Sequence, residues 1–234
     1  MSEPRMIEVR RKVLKENDLL ARELRDRFRR AGVQVVSLVS SPGSGKTTLL
    51  ERLLTELGRQ FRVAALVGDL ATENDAARLK RSGAPVKQIT TGTICHLDAR
   101  MVRDALQDWN LDDLDFLFIE NVGNLVCPSS FDLGEDLRLV LVSTTEGEDK
   151  PLKYPTIFNT ADLAIISKFD LAPVVGFSME SLLANIQAVR PGMPVLALSG
   201  VAEHGIDNLS EFLLARRTEP SPEGSAVNRN SMPA

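Results

Sequence analysis

The 234-residue chain is long enough for one domain with a short appendage, and its 43% hydrophobic and 26% charged residues are the balance of an ordinary globular protein with a sizeable core. A net charge of −4 argues against broad nucleic-acid binding, which needs a basic surface to displace counterions. No apolar run approaches the roughly 18 residues needed to cross a bilayer.

In chain order, residues 7–30 have the spacing of a charged amphipathic helix. Val13, Leu20, Leu24 and Phe28 form its apolar stripe, and Ala31-Gly32 ends it. Residues 33–39 read as an apolar, β-branched strand of the kind buried in parallel sheets. A helix over 48–57 follows, then a strand over 62–67 ending in Gly68-Asp69. A short helix over 75–81, a short strand over 86–89 and a helix over 97–106 come next. Strands are expected over 114–119, 137–143, 162–167 and 195–198, and helices over 178–189 and 206–216. This alternation predicts an α/β fold, a doubly wound, mostly parallel sheet of the P-loop NTPase type with an N-terminal helix. The expected division is an amphipathic helix over 1–32 packed on a nucleotide-binding domain over 33–217. The Pro-, Ser-, Gly- and Asn-rich stretch 218–234 has little to bury and is expected to be a disordered tail.

The stretch Ser41-Pro42-Gly43-Ser44-Gly45-Lys46-Thr47-Thr48 sits between predicted strand and helix. It fits the phosphate-loop pattern G-x-x-x-x-G-K-[ST], except that Ser40 stands for the first glycine. Gly43 and Gly45 free the backbone so that N–H groups, including those at Ser44 and Thr48, face phosphates. Lys46 brings a cation to the β and γ oxygens, Thr47 a hydroxyl for Mg²⁺, and the new helix its positive end. The bland alternative is a plain Gly/Ser turn.

Such an enzyme also needs a carboxylate for Mg²⁺ and a group to orient the attacking water. Asp69 and Glu120 stand at strand ends, where a magnesium-binding carboxylate belongs. Asp75 is a third catalytic candidate, or a helix cap. No arginine supplied by the same chain to the phosphates is legible, so slow unassisted turnover is expected. Ser167-Lys168-Phe169-Asp170 occupies the place of the Asn-Lys-x-Asp that reads guanine. Asp170 keeps the carboxylate that accepts two hydrogen bonds from the ring, which predicts GTP over ATP, and the Lys168 stem covers the base. Ser167 in place of Asn can still donate one bond but reaches less far. Leu198-Ser199-Gly200 is the candidate backbone flanking the base.

Two cysteines cannot build a disulfide framework, and segment 1–5 lacks the apolar stretch of a secretory signal. A reducing cytoplasm is the expected compartment. There Cys95, His96 and Cys127 could ligate Zn²⁺ or Ni²⁺, and a two-fold-related copy could complete a three-ligand site. The plainer reading is that lone cysteines are small buried hydrophobes.

Three stretches resemble the nickel-incorporation GTPases of hydrogenase maturation, the HypB family: Ser40 to Thr48, Cys95-His96-Leu97-Asp98-Ala99, and Ile119-Glu120-Asn121-Val122-Gly123-Asn124-Leu125-Val126-Cys127-Pro128. Gly68-Asp69 and Ser143-Thr144-Thr145-Glu146-Gly147-Glu148 also fit, and the similarity runs to about Leu214. The resemblance implies a P-loop GTPase of the SIMIBI class that forms GTP-dependent homodimers. It implies nickel or zinc at the dimer interface on Cys95, His96 and Cys127. It further implies delivery to the hydrogenase large subunit with a small zinc-containing chaperone, and Glu120 as the counterpart of the switch carboxylate. Two departures stand out. The chain has neither an N-terminal Cys-rich site nor a His-rich store, its histidines being His96 and His204, and Ser167 replaces Asn. The related urease GTPases carry a contiguous Cys-Pro-His, which this chain splits. A metal-binding chaperone with little nucleotide turnover and an ATP-dependent kinase are the other competing readings.

Overall fold

The computed structural model describes residues 3–69, 74–199 and 205–217, with side chains from residue 7. The expected tail, Gly200 and His204 lie outside the described residues. Helix α1 (Glu3–Ala31) turns through left-handed Gly32 (φ 68°) into β1 (Gln34–Ser40). Next come α2 (Lys46–Leu57), β2 (Val63–Asp69), α3 (Asn74–Leu79) and β3 (Val86–Thr90). The middle holds α4 (Ala99–Ala105), β4 (Phe116–Glu120), β5 (Leu137–Ser143), α5 (Lys150–Lys153) and α6 (Pro155–Thr160). The last part holds β6 (Leu163–Ser167), α7 (Ala172–Val175), α8 (Met179–Val189), β7 (Val195–Ala197) and α9 (Ile206–Leu214).

Seven strands make one sheet in the order β3-β2-β4-β1-β5-β6-β7, and each neighbouring pair is parallel. The helices lie on the two faces because the strand side chains alternate. On β1, Val36 and Leu38 join Leu50, Leu53 and Leu54 of α2; Val35 joins Leu24 and Phe28 of α1; Val39 joins Phe158 and Ile186. On β4, Phe116 and Phe118 face α2, while Leu117 and Ile119 face α1 and α4. Both faces are covered, so β1, β4 and β5 are buried along their whole length, and the sequence is predominantly apolar there. Parallel pairing also sends every strand's carboxyl end to one edge, where ligands bind in this architecture.

The boundaries shift where backbone chemistry overrides periodicity. Helix α2 starts at Lys46, two residues early, because Gly45 takes the left-handed cap position (φ 96°). Helix α4 starts at Ala99 rather than 97, because Asp98 caps it by accepting the N–H of Met101 (2.8 Å). The stripe of α1 is as expected at Leu20, Leu24 and Phe28, but Val13 is exposed and the buried line continues through Ala21 and Asn17. A polar residue inside that line hid its continuation from an apolar count.

Candidate nucleotide and metal site

The phosphate loop leaves β1 at the buried Ser40 and passes two left-handed glycines, Gly43 (φ 74°) and Gly45. That conformation excludes ordinary side chains and explains the glycines. Lys46 Nζ donates to Ser40 Oγ (2.9 Å), so the serine at the pattern's first-glycine position holds the ammonium. Burial lowers the pKa of Lys46, against the raising effect of Glu120, Asp75 and Glu146. Thr47 Oγ1 donates to Glu120 Oε1 (2.8 Å), while Glu120 Oε2 is buried without a partner. Burial pushes the Glu120 carboxyl up to about 7, with the Lys46 charge opposing.

A cleft of about 460 Å³ opens beside these groups. Gly43, Gly45, Lys46, Thr47, Thr48, Asp69, Asp75 and Glu120 line it, so the structure gathers every predicted phosphate-side residue except Ser44. Ser44 is buried behind the loop and donates to Glu146 Oε1 (2.5 Å). Sequence reasoning missed two charged groups here. Glu146, held below the usual carboxylate range by Ser41, Ser44, the Ser143 N–H and Lys150 despite its burial, braces the loop from beneath. Arg78 also lines the cleft, its guanidinium paired to Glu51 through Nε–Oε2 (2.7 Å). Its signal was available only as one turn of helix after Asp75.

On the other side of the loop lies a cleft of about 180 Å³, lined by Ser44, Thr48, Leu49, Ser167, Lys168, Leu198 and Ser199 among others. Ser167 Oγ donates to Ser44 O (2.6 Å), so its hydroxyl fastens the phosphate loop. Lys168 is the one described non-glycine residue with positive φ (56°). That turn lets its Nζ reach Gly43 O (2.8 Å). Asp170 accepts from Ser199 Oγ (3.1 Å), which places the expected base-reading carboxylate beside the expected flanking segment.

The third constellation sits where the segments after β3 and β4 meet. The ligand atoms of Cys95, His96 and Cys127 all lie within 4.8 Å of one another. The two thiols are free and face each other at 2.9 Å, which raises the pKa of Cys127, with burial adding to the shift. The His96 ring lies against Phe131, centroids 3.9 Å apart. Its Nδ1 is buried without a partner, and burial lowers its pKa, favouring the neutral imidazole that ligates metals. Asn124 Nδ2 donates to Cys95 O (3.2 Å) and ties the two segments together. These three residues could hold a soft or borderline divalent metal and leave a tetrahedral position unfilled.

The geometry has counterparts. The family model described as CobW/HypB/UreG, nucleotide-binding domain, matches residues 34–197. The hydrogenase maturation factor HypB of Escherichia coli (strain K12) is 47% identical over 217 residues, 93% of this chain and 75% of that protein. The hydrogenase/urease maturation factor HypB of Helicobacter hepaticus is 44% identical, covering 91% of this chain and 89% of that protein. The crystal structure of HypB from Helicobacter pylori in complex with nickel superposes with a TM-score of 0.82 at 43% identity, over 86% of this chain and 95% of that one. Sequence and fold are thus shared over most of the chain, and the chain belongs to the CobW/HypB/UreG family and, within it, to the HypB hydrogenase maturation factors.

Proposed function

We propose that the chain is a GTP-hydrolysing metallochaperone that carries nickel, as cargo, toward the large subunit of a [NiFe]-hydrogenase. One observation carries this reading: the ligand atoms of Cys95, His96 and Cys127 converge within 4.8 Å close to the strand end where Glu120 grips Thr47 of the phosphate loop. Nickel suits two thiolates and an imidazole, and zinc would accept the same set. The unpartnered Nδ1 of His96 and the facing thiols support metal uptake.

In this reading Lys46 and the amides around Gly43, Ser44, Gly45 and Thr48 hold the phosphates. Asp170 selects guanine, with Lys168 across the base and Ser167 fixing the loop behind it. Thr47, Asp69 and Glu120 would hold Mg²⁺; the unpaired buried Oε2 of Glu120 fits a cation. When bound, the ion supplies charge neutralisation across the β and γ oxygens. Lys46, Asp69, Asp75 and Glu120 form the hydrolytic set, and Asp69 and Asp75 are the candidates for orienting water.

Three ligands call for more, and a second copy brought up by GTP would supply them across a two-fold axis. Ile94 and Val126, exposed beside the two cysteines, give that contact an apolar rim. A small zinc-containing chaperone is the expected partner. Delivery to urease is the second reading, favoured by the double name of the Helicobacter relative.

The test is nickel titration of the wild type, Cys95→Ala and Cys127→Ala with GDP and with a non-hydrolysable GTP analogue, alongside sedimentation. Nickel bound by the wild type only, with affinity and oligomeric state set by the nucleotide, is the expected result. Undiminished uptake by both variants would remove the proposal.

A further inference from the structure

The metal-bearing segment joins the nucleotide cleft by a second route besides the chain from Glu120 to Cys127. Asn121 follows Glu120 directly and is only 2% exposed. Its Oδ1 accepts the N–H groups of Leu97 (3.0 Å) and Val122 (2.9 Å). Leu97 follows His96 directly. The fully buried Leu97 side chain also lies against Gly68, where a Cβ would come within 2.8–3.0 Å of three of its carbons. Gly68 precedes Asp69. One residue, adjacent to a metal ligand, therefore touches the neighbours of both strand-end carboxylates.

The far end of the segment is anchored elsewhere. The Ala99 N–H donates to Oδ1 of Asn17 on α1 (2.9 Å), whose Nδ2 donates to Asp132 O (2.9 Å). Asn17 belongs to the buried line of α1, which packs on α4 and not on the phosphate loop.

We propose that Asn121 is a positioning residue that carries the nucleotide state from Glu120 to His96 through the Leu97 backbone, while Asn17 is the fixed anchor of the same segment. The inference rests on the coupling of nucleotide and metal proposed above. Its physical basis is that the Leu97 and Val122 amides are buried, and a buried N–H left unpaired is costly. When the β4 end shifts with the nucleotide, the Cys95–Asp98 segment follows Asn121 and does not part from it. Gly68 adds the second contact, because its missing side chain lets Leu97 seat against β2.

The experiment measures nickel affinity of the full chain with GDP and with a non-hydrolysable GTP analogue, read by thiolate-to-nickel absorption. Wild type, Asn121→Ala, Gly68→Ala and Asn17→Ala are compared. The wild type should differ between the two states. Asn121→Ala should bind nickel equally in both to within about twofold, and Gly68→Ala, which wedges Leu97 off the strand end, should shrink the same ratio. Asn17→Ala should weaken binding in both states alike and keep the ratio. Should Asn121→Ala not fold, Gly68→Ala decides. A coupled wild type whose ratio survives in Gly68→Ala and in folded Asn121→Ala overturns the inference alone; a wild type indifferent to nucleotide overturns it together with the coupling beneath it.

Discussion

The nucleotide clefts and the metal constellation share one edge of the sheet but are finished to different degrees. Around the phosphate loop most polar groups have found each other, with Glu120 Oε2 left over: Lys46 with Ser40, Thr47 with Glu120, Ser44 with Glu146 and Ser167 with the Ser44 carbonyl. Around the cysteines they have not: His96 Nδ1 has no partner and two thiols face each other. A region whose groups are mostly paired with one another holds its shape without ligand. A region with unsatisfied ligand atoms gains definition from what it binds.

The largest expected effect comes from removing the cation of the finished region. Lys46→Ala should lower kcat/KM for GTP by on the order of 10²–10³, as loss of a charge-stabilising donor does, while nickel affinity without nucleotide stays at the wild-type level. Phosphate release and metal titration on the same preparation check both halves. The reciprocal break is Cys127→Ala. Nickel affinity should fall by more than the roughly 10–100-fold that loss of an outer-shell partner costs, with GDP affinity unchanged to within about twofold.

A subtler prediction concerns Glu120. Its folded carboxyl holds a proton up to about 7, whereas the free group loses it near 4.5. Between those values the folded chain binds the extra proton, so the residue's contribution to stability is present at low pH and is lost as pH rises through this window. Denaturant titrations from pH 4.5 to 7 should show a relative decline for the metal-free wild type that Glu120→Gln lacks. Mg²⁺–nucleotide binding should release a proton at pH 6 and almost none at pH 8. The smallest effect belongs to Ser167→Ala. Losing one hydrogen bond to the loop is worth about 1 kcal/mol, or roughly fivefold in nucleotide affinity, measurable by calorimetry.

Much of this was legible beforehand. Predominantly apolar runs announced β1, β4 and β5, because a strand covered on both faces has few polar positions, such as Ser37 in β1 and Arg138 in β5. Gly43, Gly45, Lys46 and Thr47 announced the loop, because few other residues can take those conformations and charges. The connecting groups were not legible. Asn17, Asn121 and Asn124 act through their amides on backbone atoms far away in sequence, up to 115 positions in the case of Asn17, and nothing local names those partners. The contact of the Ser167 hydroxyl with the Ser44 carbonyl was likewise not legible. Arg78, on the short helix after Asp75, lines the cleft through packing that no local pattern announces.

The parallel sheet has a practical consequence. Its strands begin at the opposite pole, where Asp115 takes Arg62 (3.1 Å) and Arg217 (2.7 Å) in a small ionic clasp. The exposed turn at Gln60 lies beside that clasp. A dye or surface tether attached there would ride on the blind side of the molecule, so immobilised protein could be watched through rounds of nucleotide exchange and metal hand-over with its working face turned outward.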